Sequence, residues 1–385
     1  MSDARTARAE AIRGLALPAA LLPQDGRFGS GPSRIRDAQV QALSGLSRTV
    51  LGTSHRQAPV KQQVARVRTG LAELFSLPEG YEVVLGNGGS TAFWDVAVYG
   101  LIAARSQHLT FGEFSSKFAA EAKGAPHLDE PEVLSAAPGS LTAAVASADV
   151  DAYAWPHNET STGVMAPVVR PSGAGDDQLV LIDATSAAGG VSVDVSQADA
   201  YYFAPQKSFA SDGGLWLALL SPAAIARAER LAADGSRWIP SFLSLTSAIE
   251  NSRKDQTLNT PAVATLVLLA EQIDWMLEQG GLAWADERTR TTSGLLQQWA
   301  ARREEVTPFV SDPAARSQVV TTLDLDEGID ATAITAVLRA HGIVDIEPYR
   351  KLGRNQLRIA TFPAVTVEDT EALIAVLDHV LDATA

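Results

Sequence analysis

The amino-acid sequence predicts an α/β protein with a large, mostly parallel β-sheet covered by helices, followed by a smaller α+β unit. Near-continuous apolar segments such as Leu179–Asp183 and Leu215–Leu220 are typical of strands that are buried on both faces. Such segments alternate with segments of helical apolar spacing, which indicates strand–helix–strand units. After position 280 the order of elements changes, which predicts a second unit of α+β type.

The length of 385 residues suggests two or three domains. Hydrophobic residues make up 46% and charged residues 20% of the chain, which is typical of a globular protein with a substantial core. Glycine and proline punctuate the chain up to position 32, so we expect 1–25 to be an irregular N-terminal arm. We place a large domain at 26–280 and a small C-terminal domain at 281–385.

The individual elements follow from apolar periodicity and from turn residues. A helix over Ala58–Ser76 precedes the strand Tyr81–Leu85, while Thr260-Pro261 predicts a helix start that Gly280-Gly281 closes. The remaining predicted strands are Gln107–Thr110, Ala152–Trp155, Leu179–Asp183, Ala200–Ala204, Leu215–Leu220, Gln318–Leu323, Ile343–Ile346 and Gln356–Ala360. The remaining predicted helices are Thr91–Ala104, Ser115–Lys123, Trp284–Arg303, Ala331–His341 and Val367–Leu381.

Composition excludes several classes of protein. Acidic residues outnumber basic ones by 45 to 31, and the net charge of −14 argues against a general nucleic-acid-binding surface. The chain has no cysteine, which excludes disulfides, zinc–thiolate sites, iron–sulfur clusters and cysteine nucleophiles. Its six histidines show no H-x-x-x-H spacing, so we predict no metal site. No segment approaches the ~20 apolar residues of a membrane helix, and we expect a cytoplasmic protein without membrane partners.

A glycine-rich segment, Gly86-Asn87-Gly88-Gly89-Ser90-Thr91, stands between a predicted strand and a predicted helix. Backbone N–H groups at such a turn can approach an anion closely, and the start of the helix adds partial positive charge. The segment has neither the lysine of a Walker loop nor the G-x-G-x-x-G spacing of a dinucleotide site. It therefore predicts a phosphate cradle, with an ordinary tight turn as the alternative.

Two further residues follow apolar strands. Asp183 ends one strand and, taken alone, also suits a helix N-cap; Lys207 follows another strand and, taken alone, also suits a surface loop. They are 24 residues apart, so both return to the same sheet edge, where open α/β folds bind ligands. A carboxylate for a pyridinium N–H and a lysine for an aldehyde are what pyridoxal 5′-phosphate (PLP) requires, and the glycine cradle supplies a seat for its phosphate.

A second pair, His55-Arg56, suits an anionic substrate group, because guanidinium and imidazole both donate hydrogen bonds. A pair of exposed loop residues is the alternative. The other histidines stand apart from these segments and suggest no role.

Residues spread over nearly the whole chain carry a resemblance to a known family. They are Ser54-His55-Arg56, Gly88-Gly89, Gly112-Glu113-Phe114, Asn158-Glu159-Thr160, Asp183, Gln206-Lys207, Asn259-Thr260-Pro261 and Leu357-Arg358. In these segments the chain resembles the phosphoserine aminotransferases, fold-type I, PLP-dependent enzymes of the class-V aminotransferase group, and especially their actinobacterial branch. The resemblance implies a large domain with a mostly parallel seven-stranded sheet, and a homodimer with shared active sites.

The resemblance also implies a role for each matching residue. Lys207 would carry the cofactor and then move the substrate proton, while Asp183 would bind the pyridine nitrogen. Phe114 would stack on the ring, where relatives often have Trp, and Thr160 would hydrogen-bond near its polar edge. The phosphate would be held by Gly88, Gly89 and Gln206, joined by Asn259 and Thr260 from the other subunit.

For substrates, the resemblance implies that Arg358 binds the α-carboxylate and that the partner chain's His55 and Arg56 meet the phosphate or side-chain carboxylate. The implied reaction is reversible amino transfer between L-glutamate and 3-phosphohydroxypyruvate, which gives O-phospho-L-serine and 2-oxoglutarate in L-serine biosynthesis. The chain departs from the family at Ser90, where Arg is common, and near Lys351, where some members have His.

Other functions stay open at this point. An alanine–glyoxylate type of class-V aminotransferase is the nearest alternative, although small neutral substrates would not need His55 and Arg56 beside Arg358. A cysteine desulfurase is excluded by the missing thiol. The intact Asp183 and Lys207 argue against a non-catalytic protein of this fold, and the failed G-x-G-x-x-G spacing argues against a dehydrogenase.

Overall fold

The computed structural model describes residues 3–384, and its largest element is a seven-stranded sheet. The strands are β1 (Glu82–Asn87), β2 (Ser106–Thr110), β3 (Glu132–Ser135), β4 (Ala152–Pro156), β5 (Asn158–Glu159), β6 (Val164–Met165), β7 (Leu179–Asp183), β8 (Ala200–Phe203), β9 (Leu215–Leu220), β10 (Val306–Pro308), β11 (Val320–Leu325) and β12 (Gln356–Ala360). The helices are α1 (Asp3–Arg13), α2 (Asp37–Gly45), α3 (Ala58–Leu74), α4 (Ser90–Gly100), α5 (Glu113–Gly124), α6 (Pro222–Asp234), α7 (Leu245–Ser252), α8 (Val263–Gln279), α9 (Gly281–Ala300), α10 (Ala331–Ala340) and α11 (Val367–Asp382).

The large sheet has the strand order β1-β9-β8-β7-β4-β2-β3. Strands β8, β7, β4, β2 and β3 pair in parallel, whereas β9 is antiparallel to both of its neighbours, β8 and β1. Strand β1 therefore points the same way as the parallel set. The carboxyl ends of β1, β4, β7 and β8 meet at one edge, where ligands bind in such sheets. The predicted α/β class and mostly parallel sheet are confirmed.

Side chains alternate between the two faces of this sheet, and each face has its own helical cover. In β7, Val180 and Ile182 pack in the hydrophobic cluster of α3 and α8. Leu179 and Leu181 point the other way and pack with α4 and α5. Because Asp183 continues the second set, its side chain lies on the face that α4 covers.

The C-terminal part of the chain forms a three-stranded antiparallel sheet in the order β10-β11-β12. Helices α10 and α11, with the end of α9, cover this sheet in a separate hydrophobic cluster. The α+β character expected for this part agrees with the structure. The exact domain limits at 25 and 280 remain a prediction.

The expectation that 1–25 form an irregular arm is wrong. Helix α1 occupies much of this segment and packs on α10, and its Ala9 and Ile12 belong to the hydrophobic cluster of the small sheet. Of the α1 side chains whose burial the structure describes, these two are buried, and such sparse apolar spacing is too weak to predict a helix. Contacts with the distant α10 stabilise it instead.

Two further predictions are wrong in detail. Ile343–Ile346 is not a strand: it makes one isolated bridge, between Val344 and Arg27, and its buried isoleucines anchor it in the small cluster. Helix α8 begins at Val263 rather than at Pro261, and the hydroxyl of Thr260, the predicted N-cap, contacts His55 instead. The sequence patterns also missed the 13-residue helix α6 and the shorter elements α2, α7, β3, β5, β6 and β10.

Candidate active site

A cavity of about 190 Å³ lies at the edge of the large sheet where β4, β7 and β8 end. The lining residues are Gly89, Ser90, Thr91, Trp94, Phe114, Pro156, Asn158, Thr160, Asp183, Thr185, Gln206 and Lys207. The structure thus brings Asp183 and Lys207 to one cavity, as the sequence predicts. Larger surface grooves of about 960 and 550 Å³ lie elsewhere and contain neither residue.

The carboxylate of Asp183 is buried and held by three donors. Its Oδ1 accepts hydrogen bonds from the backbone N–H of Thr185 at 3.0 Å and from the Thr185 hydroxyl, and its Oδ2 accepts one from the indole Nε1 of Trp94 at 3.0 Å. Burial raises the pKa of Asp183, while these donors work against that rise. The arrangement leaves a carboxylate facing the cavity, suited to a further N–H donor.

Lys207 is buried, and its Nζ donates a hydrogen bond to the backbone carbonyl of Ser30. Burial lowers the pKa of Lys207 to about 8; the positive charge of Arg358 lowers it further and Asp183 opposes both effects. A pKa of about 8 provides the neutral, nucleophilic amine close to neutral pH.

The segment that precedes α2 passes directly over this lysine. The backbone N–H of Ser33 donates to the carbonyl of Gln206 at 2.8 Å, and Gly31 lies so close that a Cβ there would stand 2.0 Å from Nζ of Lys207. Gly31 has a φ of 140°, which other residues rarely adopt. The sequence patterns identified this segment as a loop and missed its contact with the lysine.

The glycine turn leads from β1 into α4. Gly88 has a φ of 120°, and a Cβ there would lie 2.6 Å from that of Ala92. No side chain caps the start of α4 at Gly89, so its first N–H groups remain available to an anion beside the cavity. The Oε1 atom of Gln206, which lines the same cavity, is buried without a hydrogen-bond partner.

Phe114 forms one wall of the cavity, and a buried carboxylate fixes the helix that carries it. Glu159 accepts hydrogen bonds from the backbone N–H and hydroxyl of Ser115, each at 2.9 Å, and from the hydroxyl of Ser161 at 2.7 Å. A Cβ on Gly112 would lie 2.3 Å from Cγ of Glu159. The carboxylate therefore sits at the positive end of α5 and holds Phe114 in place.

Arg358 comes from β12 of the small sheet and reaches the same region. Its Nη1 donates to the backbone carbonyl of Thr160 at 3.2 Å, and its guanidinium carbon lies 5.3 Å from the ring centre of Tyr349. Its Nε is buried without a hydrogen-bond partner, and burial lowers its pKa. The hydroxyl of Thr160 donates to Ser186 at 2.8 Å. An arginine with a free donor beside the cavity suits a carboxylate ligand.

The remaining predicted residues form a surface patch outside the cavity lining. The hydroxyl of Thr260 lies 3.0 Å from Nδ1 of His55, and Nη1 of Arg56 donates to Oε1 of Gln256 at 3.0 Å. Asn259 is exposed in the same loop. The structure thus groups His55, Arg56, Asn259 and Thr260 together, and their participation in a site across a dimer interface remains a prediction.

Several lining residues were missed by the sequence patterns. Trp94, Pro156 and Thr185 all line the cavity. Trp94 could have been found, because it stands four residues after Ser90 and so shares its helix face. Among residues 3–384, no three His, Asp or Glu side chains are grouped so as to hold a metal ion.

With this geometry in view, comparison with known proteins decides the family. Residues 28–345 match the family model described as aminotransferase class-V. The chain belongs to the class-V aminotransferase family. This class-V aminotransferase is 61% identical over 368 residues to a putative phosphoserine aminotransferase of Mycobacterium leprae (strain TN), covering 96% of this chain and 97% of that protein. It is 62% identical to a phosphoserine aminotransferase of a Nocardioides species, covering 96% and 98%.

Solved structures confirm the fold of this class-V aminotransferase as that of the fold-type I group. A phosphoserine aminotransferase from Cytophaga hutchinsonii superimposes with a TM-score of 0.85 at 24% identity, covering 92% of this chain and 99% of that one. An alanine–glyoxylate aminotransferase from a Nostoc species gives 0.77 at 19% identity, covering 95% and 98%. Because both activities occur on this fold, the substrate has to be argued from the site.

Proposed function

We propose that this chain is a PLP-dependent phosphoserine aminotransferase of L-serine biosynthesis. It transfers an amino group reversibly between L-glutamate and 3-phosphohydroxypyruvate, giving O-phospho-L-serine and 2-oxoglutarate. The observation that carries the proposal is the shared cavity of Asp183 and Lys207, in a chain about 60% identical to proteins named for this activity. The actinobacterial relatives among them support the same conclusion.

The cavity fits PLP at each of its polar positions. The uncapped start of α4 after Gly88 and Gly89 offers backbone N–H donors to the phosphate, and Gln206, which lines the same cavity, offers its side-chain NH₂ group as a further donor. Phe114 and Thr160 line the same cavity, and the Thr160 hydroxyl donates a hydrogen bond to Ser186. These groups match an aromatic phosphate ester better than a dinucleotide, whose fingerprint the turn lacks.

Bound PLP supplies an aldehyde that accepts the amino group and a ring that withdraws the electron pair left when the Cα proton departs. Lys207, with its lowered pKa, would hold the aldehyde carbon and, when its amine is free, would serve as the acid–base group that moves the substrate proton. Asp183 would accept a hydrogen bond from the ring nitrogen and so favour its protonated form. Phe114, which lines the cavity, would cover one face of the ring.

The substrate is held by cations from both domains and both subunits. Arg358 binds the α-carboxylate through its free Nε–H and second terminal nitrogen. His55 and Arg56 of the second subunit meet the phosphate or the side-chain carboxylate. Since glutamate and 3-phosphohydroxypyruvate both carry several negative charges, one cationic pocket serves both half-reactions.

The two departures from the family pattern have defined surroundings. The hydroxyl of Ser90 contacts that of Thr185 at 2.5 Å, so it faces Asp183 rather than solvent. Lys351 pairs with Glu113 at the start of α5, next to Phe114. Arg354 is likewise paired, with Asp324, so either cation would have to leave its carboxylate partner to supplement phosphate binding.

The proposed assembly is a homodimer, with Asn259 and Thr260 of one subunit completing the phosphate site of the other. The partners are the two small-molecule substrates, and the net charge of −14 disfavours nucleic acid. Within residues 3–384, none of the helices combines the length and apolarity needed to cross a bilayer. We propose a cytoplasmic location.

A coupled assay tests the proposed function directly. The enzyme is offered glutamate with 3-phosphohydroxypyruvate, glutamate with hydroxypyruvate, and alanine with glyoxylate, and Lys207→Ala serves as the inactive control. We expect kcat/KM for the phosphorylated acceptor to exceed that for hydroxypyruvate on the order of 100-fold, since hydroxypyruvate has no phosphate for the cationic pocket to bind. Faster turnover of alanine with glyoxylate would replace this function by the alternative one.

A further inference from the structure

The buried carboxylate of Asp183 has nearly all of its acceptor positions occupied. A carboxylate offers about four lone-pair sites, and three donors use them here: the N–H and O–H of Thr185 on Oδ1, and the indole N–H of Trp94 on Oδ2. One site, on Oδ2 next to the indole, is therefore left for a ligand. The indole fixes the direction in which that site points.

The indole belongs to helix α4, whose first residue, Ser90, directly follows the predicted phosphate-binding glycines. Ser90 and Trp94 are four residues apart, so their side chains lie one above the other on the helix. The Thr185 hydroxyl has one proton, which goes to Asp183, so the hydroxyl of Ser90 donates to Thr185. Helix α4 thus reaches both oxygens of Asp183, directly through Trp94 and indirectly through Ser90.

We propose that Trp94 is a positioning residue that aims the free lone pair of Asp183 at the ring nitrogen of the cofactor. This inference rests on the proposed function. Since the glycine turn that starts α4 holds the phosphate, one helix sets the distance between the two ends of the cofactor: its N-terminus receives the phosphate, and its second turn orients the acceptor for the ring nitrogen.

The groups around Asp183 indicate why its Oδ2 atom needs the indole donor of Trp94 to keep its orientation. The face-sharing neighbour Tyr202, opposite Asp183 in the strand register, has a buried hydroxyl without a hydrogen-bond partner. Glu159 adds a negative charge nearby that disfavours a second carboxylate. Trp94 supplies the single direct donor on Oδ2 among residues 3–384, so its removal leaves this oxygen free to turn toward Tyr202.

A simpler role for Trp94 is packing, since its ring stacks on Phe118 with 6.1 Å between ring centres. Trp94→Phe keeps an aromatic ring there and removes the N–H donor. Phe118→Leu disturbs the packing and keeps the donor, and is the matched control.

The experiment measures the dissociation constants of the apoprotein for PLP and for an analogue in which C–H replaces the ring nitrogen. We expect Trp94→Phe to weaken PLP binding about tenfold while changing analogue binding less than about twofold, because the analogue has no N–H for Asp183. Phe118→Leu should weaken both equally. In an Asp183→Asn background, the Trp94→Phe effect on PLP should vanish.

An equal loss for both compounds in Trp94→Phe, or no loss for either, would overturn the proposal. Should Trp94→Phe not fold, Thr185→Val removes a donor from the other oxygen; an unchanged preference for PLP over the analogue would then count against orientation of the carboxylate by its donors. If the wild-type protein binds neither compound, the proposed function itself fails. If the wild-type protein binds both compounds but Trp94→Phe shows no selective loss of PLP binding, only the positioning role of Trp94 is refuted.

Discussion

The backbone carbonyl of Ser30 accepts a hydrogen bond from Nζ of Lys207, across 177 positions of sequence. The contact requires the chain beside it to pass within van der Waals distance of the lysine side chain. Gly31 makes this approach possible because it has no Cβ and because glycine adopts a positive φ without steric strain. The segment that precedes α2 is therefore part of the site, and it holds the amine in position.

Gly31→Ala should displace Lys207, since the new Cβ would lie 2.0 Å from Nζ in the present arrangement. Misplacement of a reacting group by about 1 Å costs on the order of 100-fold in rate, so we expect a loss of that size in kcat. Gly45→Ala is the control, because a Cβ there meets no atom within 4 Å. Equal activity of the two variants would show that the lysine tolerates the added methyl group.

Because the pKa of Lys207 is lowered to about 8, we expect PLP uptake by the apoprotein to depend on pH. The neutral amine attacks the aldehyde, so the rate at which the apoprotein takes up PLP should rise with pH and level off above about 8. Arg358→Gln removes a positive charge that disfavours the ammonium form, so the pKa should rise and the midpoint should move to higher pH. Stopped-flow absorbance measures the rate.

Arg354→Gln is the matched control for this shift, because Arg354 pairs with Asp324 and does not contribute to the lowered pKa of Lys207. Its midpoint should stay at the wild-type value. A midpoint that moves to lower pH in Arg358→Gln would reverse the assigned sign of the interaction.

The central pair of the site could be predicted from sequence for a physical reason. Asp183 ends one strand of otherwise apolar residues and Lys207 follows another, and parallel strands end at a common edge. The positions of the apolar strands in the sequence are therefore enough to predict that Asp183 and Lys207 lie at the same sheet edge. The face of the sheet on which the Asp183 side chain lies follows from the alternation of side chains alone, since Leu179, Leu181 and Asp183 are each two residues apart.

Other parts of the site depend on contacts that no local pattern records. Trp94 and Asp183 are 89 positions apart, and their hydrogen bond depends on where α4 crosses β7. Helix α1 forms because a distant helix buries two of its side chains, as its own sequence is weakly periodic. The same holds for Ser30, whose carbonyl has no distinguishing residue type. Such features require the packed structure.

Glu159→Gln should destabilise the protein. The carboxylate is fully buried and accepts hydrogen bonds from Ser115 and Ser161, and an amide would turn an NH₂ group toward some of these donors. We expect the free energy of unfolding to fall by about 2 kcal/mol, the usual cost of unsatisfied buried groups. Urea denaturation measures it. Glu121→Gln, at an exposed position of α5, should change the free energy of unfolding little, and equal values for both variants would contradict the anchoring role.

Arg56→Ala should reduce activity toward phosphorylated acceptors selectively. If Arg56 meets the phosphate, kcat/KM for 3-phosphohydroxypyruvate should fall roughly tenfold or more, the range for a lost charge-assisted hydrogen bond, and that for hydroxypyruvate much less. Arg48→Ala, another exposed arginine nearby in the chain, is the control. The same loss with both acceptors would remove Arg56 from phosphate recognition.

Mixed dimers test whether Arg56 acts in the other subunit's site. His55 and Arg56 contact the 256–260 loop of their own chain and do not line the cavity of Lys207. If each site combines Lys207 of one chain with Arg56 of the other, a dimer of Lys207→Ala with Arg56→Ala contains one intact site. Random reassembly of equal amounts should then restore about a quarter of wild-type phosphohydroxypyruvate turnover, because half of the dimers are mixed and half of their sites are intact. Activity no higher than the mean of the two separate variants would place Arg56 in the site of its own chain.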